Sequence, residues 1–159
     1  MPKSILAAID LAASTDQVVA AAKEYSKAFS AKLYLIHVTP EPEATVSFPS
    51  STEEGDYGES PVIISLDRQA EADRLRGEHR ALQDLRTKLS DAGIDATAIS
   101  IEGPTVKKLQ LEIDRLSIDL VIMGSHAPGF FRDLIFGSTT KEVIRDAPCP
   151  VLVLPSTSD

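Results

Sequence analysis

The chain has 159 residues, 43% of them hydrophobic and 25% charged, and a formal net charge of −8. That length suits one domain, taken as 1–159, with a sizeable core, and the composition is ordinary for a soluble globular protein. The acidic balance argues against non-specific binding to nucleic acid or to an anionic membrane, because both attract Lys and Arg.

The chain opens "MPKSILAAID". One Lys and a short apolar run ending at Asp10 are too little for a signal peptide or a membrane span, so a reducing cytoplasmic location is expected. The run 5–9 reads as a first strand. Ser14 and Gln17 then form a capping box before a helix marked by Val18, Ala22, Tyr25 and Phe29. A second strand follows at "LYLIHV", 33–38. The stretch 39–61 is rich in Pro, Ser, Gly and Glu and has no Lys or Arg, which predicts a mobile surface loop. Leu75, Leu82, Leu85 and Leu89 mark a second helix ending near Gly93.

The alternating run "TAISI", 97–101, predicts a third strand with a less buried face or an edge position. Val106, Leu109, Ile113 and Leu116 mark a third helix, with Pro104 near its first turn. Leu120 to Met123 form a fourth strand. Val143, Ile144 and Ala147 mark a short fourth helix stopped by Pro148. The fifth strand is "VLVL", 151–154. Continuous apolar runs suit strands covered on both faces. Alternation of strand and helix predicts an α/β fold: a five-stranded parallel sheet in a doubly wound, Rossmann-like domain with four helices. Cys149, the sole cysteine, reads as a buried core thiol.

In such a sheet, ligands bind beyond the carboxyl ends of the strands, where strand order reverses. For an order of 3-2-1-4-5, that point lies between the first and fourth strands, which end in Asp10 and Gly124. Gly124 permits close approach of a bulky group. Gly137, Ser138 and Thr139 open the fourth helix, whose free N–H groups and dipole favour an anion. Asp10 suits a ribose, or a metal held through water. A nucleotide fits this set better than a peptide or a sugar. Thr139 and Glu142 also spell a capping box, which explains one hydroxyl without a ligand. The stretch is neither a Walker A loop nor G-x-G-x-x-G.

Gly124, then two residues, Ala127, nine residues, and Gly137-Ser138 keep the spacing G-x2-G-x9-G-[S/T]. Together with "ILAAID", "LIHV" and "APCPVLVLP", this pattern resembles the universal stress protein family from about Lys3 to Pro155. The resemblance implies the strand order above, an adenine nucleotide alpha hydrolase-like fold and an ATP site, with ADP or AMP as alternatives. Ala8, Ile9 and Asp10 would line the adenine and ribose side, and Val38 would touch adenine through its backbone. Met123 and Gly124 would lie near ribose and phosphates. Ser125, His126, Ala127 and Gly129 would form the phosphate loop. Gly137, Ser138 and Thr139 would bind phosphates from the helix start, with Mg²⁺ accompanying a triphosphate.

The chain departs from the pattern at Ala127, followed by Pro128. Alanine disfavours positive φ, and proline pushes the preceding residue towards extended backbone. Gly129 is the nearest source of the missing freedom. His37 reads as a packed strand residue and His79 as surface. His126, Arg132, Lys141 and Arg145 read as solvated. No set of nucleophile, base and oxyanion donors stands out. Slow ATP hydrolysis or self-phosphorylation on Ser138 or Thr139 is the most that enzyme chemistry offers. The last strand would be an apolar edge, and bare edges invite pairing. The resemblance likewise implies a homodimer through Val151, Leu152, Val153 and Leu154. A regulatory role, in which nucleotide occupancy alters a surface read by a protein partner, follows from that reading.

Overall fold

The computed structural model describes residues 1–12, 14–39, 60–125 and 137–155. Five strands alternate with four helices: β1 (Ser4–Ala8), α1 (Thr15–Phe29), β2 (Lys32–Thr39), α2 (Ser60–Asp91), β3 (Ala96–Glu102), α3 (Thr105–Arg115), β4 (Leu120–Gly124), α4 (Ser138–Asp146) and β5 (Val151–Leu154). The sheet order is β3-β2-β1-β4-β5 and every pairing is parallel. Order, direction and helix number all match the expectation from sequence.

Side chains alternate across each strand, so each face of the sheet gathers its own core. Ile5, Ala7, Leu33, Leu35 and Ile122 pack with Val18 and Ala22 of α1 and with Leu82 and Leu89 of α2. Leu6, Ile36, Val38, Val121 and Met123 pack on the other face with Leu109 and Ile113 of α3 and Val143 of α4. The central strand β1 is buried on both sides, which explains its unbroken apolar run. β3 lies at an edge, as its alternation predicts, and is largely half-exposed.

β5 forms the opposite edge. The carbonyls of Pro150 and Leu154 accept the N–H groups of Val121 and Ser125. By alternation, the backbone groups of Val151 and Val153 face away from β4. Cys149 is half-buried rather than buried. Even so, burial, helped by the charges of Asp119 and Asp114, pushes its thiol up, which makes it a poor nucleophile.

Four local expectations are corrected. The Ser14–Gln17 capping box is absent, because the Ser14 hydroxyl donates to Asp10 Oδ2 at 2.8 Å instead. The Thr139–Glu142 box is also absent. α4 starts at Ser138 with Gly137 as its cap residue, so Thr139 lies inside the first turn. The second helix starts at Ser60, within the end of the expected loop, and is 32 residues long; residues 40–59 lie outside the described residues. Tyr25 and Ile144, counted on apolar helix faces, are 37% and 42% exposed.

At the amino edge of the sheet, Asp119 ties the chain start to β4. Its Oδ2 accepts the backbone N–H groups of Lys3 and Ser4 and the Ser4 hydroxyl. The Lys3 N–H foremost, then the Ser4 hydroxyl and N–H, hold this carboxyl below its ordinary value.

Two outcomes are expected from these contacts. Leu82, fully buried against β2 and β3, should cost about 2–5 kcal/mol when cut to alanine, read by urea unfolding. Asp119 is ionised more readily in the folded chain than in the unfolded one. Its contribution is therefore complete above the unfolded value of about 3.9 and disappears as pH falls through the lower folded value. The stability gap between wild type and Asp119→Ala should be constant from about pH 5 to 7 and narrow below about pH 4. A gap independent of pH would exclude this role.

Candidate functional site at the carboxyl edge of the sheet

The reversal of strand order falls between β1 and β4, which pair directly through Ala7 and Ile122. Ala8 ends β1, and the Ile9 N–H still reaches the Ile36 carbonyl at 2.8 Å. The chain then turns through Leu11, whose φ is 56°. Asp10 organises that turn. Its Oδ1 accepts the Ala12 N–H at 2.9 Å and the Thr15 hydroxyl at 3.0 Å, and its Oδ2 accepts the Ser14 hydroxyl. The carboxylate expected to face a ribose or a metal is thus engaged with the start of α1.

On β4, Met123 is buried in the core shared with α3 and α4, and so is Val38 at the end of β2. Their side chains belong to the core, which leaves backbone as the part they can offer to a ligand. A Cβ added to Gly124 would lie 2.8 Å from both Cβ and Oγ of Ser14. The space beside this glycine is therefore filled by the first residue before α1. The Gly124 carbonyl faces the Thr140 hydroxyl at 3.4 Å, and the Ser125 N–H donates to the Leu154 carbonyl at 2.7 Å.

The start of α4 completes the set. Gly137 has φ −58° and ψ 161°, an extended backbone open to any residue. The cap residue of the helix, Gly137, has no side chain, and among the described residues no side chain caps this helix. The first-turn N–H groups, from Ser138 onward, have no acceptor within the helix. Ser138 is exposed and Thr139 half-exposed. A shallow cleft of about 570 Å³ runs between the first half of α3 and the length of α4, lined by Pro104, Lys107, Gln110, Thr139, Glu142 and Asp146. It shares only Thr139 with the expected site. His126, Ala127 and Gly129, like Arg132, lie outside the described residues.

Sequence reasoning missed the partners that hold this edge together. Ser14 was read as a capping residue and Thr15 was not singled out, yet both hydroxyls anchor Asp10. Thr140 is 1% exposed and links α4 to β4. His37 is 7% exposed, as expected for a packed histidine. His79 is exposed, as are Lys141 and Arg145, the latter paired with Asp146.

Among the described residues, no group of three or more His, Cys, Asp and Glu side chains is placed to hold a metal ion. Asp10 is a single carboxylate with both oxygens already accepting hydrogen bonds. A magnesium ion fits here only as a companion of phosphate oxygens, with its remaining positions filled by water. Among the same residues, no helix is long and apolar enough to cross a membrane.

Comparison with known proteins agrees with this architecture. Residues 1–155 match the universal stress protein family. A universal stress protein encoded in the QAH/OAS sulfhydrylase 3′ region of Thermus aquaticus is 30% identical over 158 residues, covering 97% of this chain and 99% of that one. The solved universal stress protein UspA from Lactobacillus plantarum superposes with a TM-score of 0.71 at 17% identity, over 96% of this chain and 97% of that one. A universal stress protein solved in complex with cAMP superposes with a TM-score of 0.66, also at 17% identity, over 98% of both chains. A match over almost the full length, on the strand order and switch point derived above, decides the matter: the chain belongs to the universal stress protein family.

Proposed function

We propose that this protein binds an adenine nucleotide, ATP foremost, at the carboxyl edge between β1 and β4, and that it works as a regulatory dimer rather than as an enzyme. The observation that carries the reading is the start of α4. A helix capped by a glycine, with no side-chain cap among the described residues, follows the strand that flanks the switch point, where main-chain donors and the helix dipole favour phosphate. The cAMP complex of a related fold supports the same ligand class. In this reading Ala8, Ile9, Asp10 and Val38 flank the base and ribose. Met123, Gly124 and Ser125 lead into the phosphate loop of His126, Ala127 and Gly129, and Gly137, Ser138 and Thr139 hold the phosphates. Magnesium arrives with a triphosphate. The chain acts as one domain in the cytoplasm, and a protein partner reads the occupied state.

Thermal unfolding tests the ligand. Saturation at 100 times Kd should add about 2.7 kcal/mol of stability, and ATP, ADP and AMP should rank by affinity. Ser138→Pro is the sharper probe. Proline is accepted at the first helical position, and Gly137 already has the extended backbone that proline requires before it. The variant should fold normally yet bind nucleotide about tenfold or more weakly, since one hydrogen bond to a charged group is lost. No stabilisation by any of the three nucleotides would leave a nucleotide-independent interaction module as the better reading.

Dimerisation is assigned to the free edge of β5, with Val151, Leu152, Val153 and Leu154 at its centre. These four residues are all half-buried in the single chain, and a strand with unpaired backbone groups is a template for a second copy. Sedimentation should show a dimer at micromolar concentration. Val153→Pro, which removes an N–H facing away from β4, should shift it towards monomer without loss of helix content. A wild-type monomer would refute the assignment.

A further inference from the structure

His37 and Glu78 lie 41 residues apart in sequence and meet at the carboxyl end of β2. The His37 ring is buried, with Nδ1 2.7 Å from the Ile9 carbonyl and Nε2 3.3 Å from Glu78 Oε2. Both neighbours are acceptors. A neutral imidazole has one N–H and serves only one of them, whereas the protonated ring serves both. The same Oε2 also accepts the Thr39 hydroxyl at 2.8 Å, and the Arg74 guanidinium donates to Oε1 at 2.6 Å. Burial works against the Glu78 charge, but Thr39, Arg74 and His37 together hold the carboxyl below its ordinary value.

The groups around the ring can be named from each side. β1 supplies the Ile9 carbonyl, with Asp10 next in the chain turned to Ala12, Ser14 and Thr15. β3 supplies Ser100 in register. α2 supplies Glu78, backed by Arg74, which also pairs with Glu71. Among the described residues, α1 turns its apolar Val18 and Ala22 towards this face of the sheet. One carboxylate oxygen therefore grips both residues that flank Val38, from the side of the sheet opposite the Val38 side chain.

We propose that His37 and Glu78 form a proton-operated clamp from α2 that positions the end of β2 around Val38, and so tunes the fit of the nucleotide base. The coupling to nucleotide rests on the function proposed above; the clamp itself does not. With two ring protons the clamp is closed. Loss of the proton on Nε2 sets a lone pair against the Glu78 carboxylate, while Nδ1–H stays on the Ile9 carbonyl. The carboxylate then holds β2 through Thr39 alone.

The experiment uses the full chain labelled with ¹⁵N in histidine. Without nucleotide, the ring is followed from pH 5.5 to 9, and its neutral form should carry the proton on Nδ1. Amide-exchange protection of Val38 and Thr39 should be about five- to tenfold higher wherever the ring holds two protons than where it holds one, the size expected for one net hydrogen bond. In Glu78→Gln, which keeps an acceptor but loses the charge, that protection should already be low at acid pH and should not change. With ATP and magnesium, the ratio of Kd between Glu78→Gln and wild type should be about fivefold or more where the wild-type ring holds two protons and near one where it holds one; taking the ratio cancels protons bound by the nucleotide. A neutral ring protonated on Nε2, two ring protons kept to pH 9, or the same exchange profile in both proteins would overturn the clamp. A flat Kd ratio with the ring and exchange results as expected would overturn the coupling alone. If no nucleotide binds at all, the nucleotide reading and the coupling fail together, and the ligand-free arms still decide the clamp.

Discussion

The parallel direction of all five strands is the constraint on which the rest depends. It sends every strand end to one edge and every return connection over a face of the sheet. Because β1 sits between β2 and β4, the helix after β1 packs on one face and the helix after β4 on the other. The two helices part at the boundary between these strands, so the switch point is a consequence of chain path before it is a property of any side chain.

Short polar contacts join this edge to the helices, beside the core packing of Val38 and Met123. Asp10 spends its carboxylate on the turn into α1, Thr140 leans α4 on the Gly124 carbonyl, and Glu78 reaches the residues around Val38 from α2. Each links a helix to a strand end, so three hydrogen-bonded joints help to set how the helices sit on the carboxyl edge of the sheet. Such joints are individually modest, and a small change in one moves an edge without unfolding the sheet.

Much of this was legible in the sequence, for physical reasons. Continuous apolar runs announced β1 and β4 because these inner strands are covered on both faces, and alternation announced β3 at an edge; β5, the other edge, keeps a continuous run and is half-buried throughout. Gly137-Ser138 marked the start of α4 because a glycine followed by hydroxyls is a helix opening. The length of α2 was hidden. Between Arg68 and Gly77 the helix is mostly exposed and stitched by local pairs such as Arg74 with Glu71 and Arg76 with Asp73, so no apolar stripe records it. Both capping boxes misled because a pattern of hydroxyl and acid or amide at i+3 does not say which acceptor is nearer; for Ser14 it was Asp10. His37 with Glu78 lay beyond any local rule, being a contact made only when α2 packs across the sheet.

The tight seat of Gly124 against Ser14 changes what that glycine can be used to diagnose. Its missing side chain is demanded by the protein's own helix entry, whatever occupies the switch point. In this chain, with Ser14 opposite, glycine would be needed there to close α1 onto β4 even with no ligand bound. The informative positions for occupancy are therefore those, like Gly137, whose backbone would tolerate any residue.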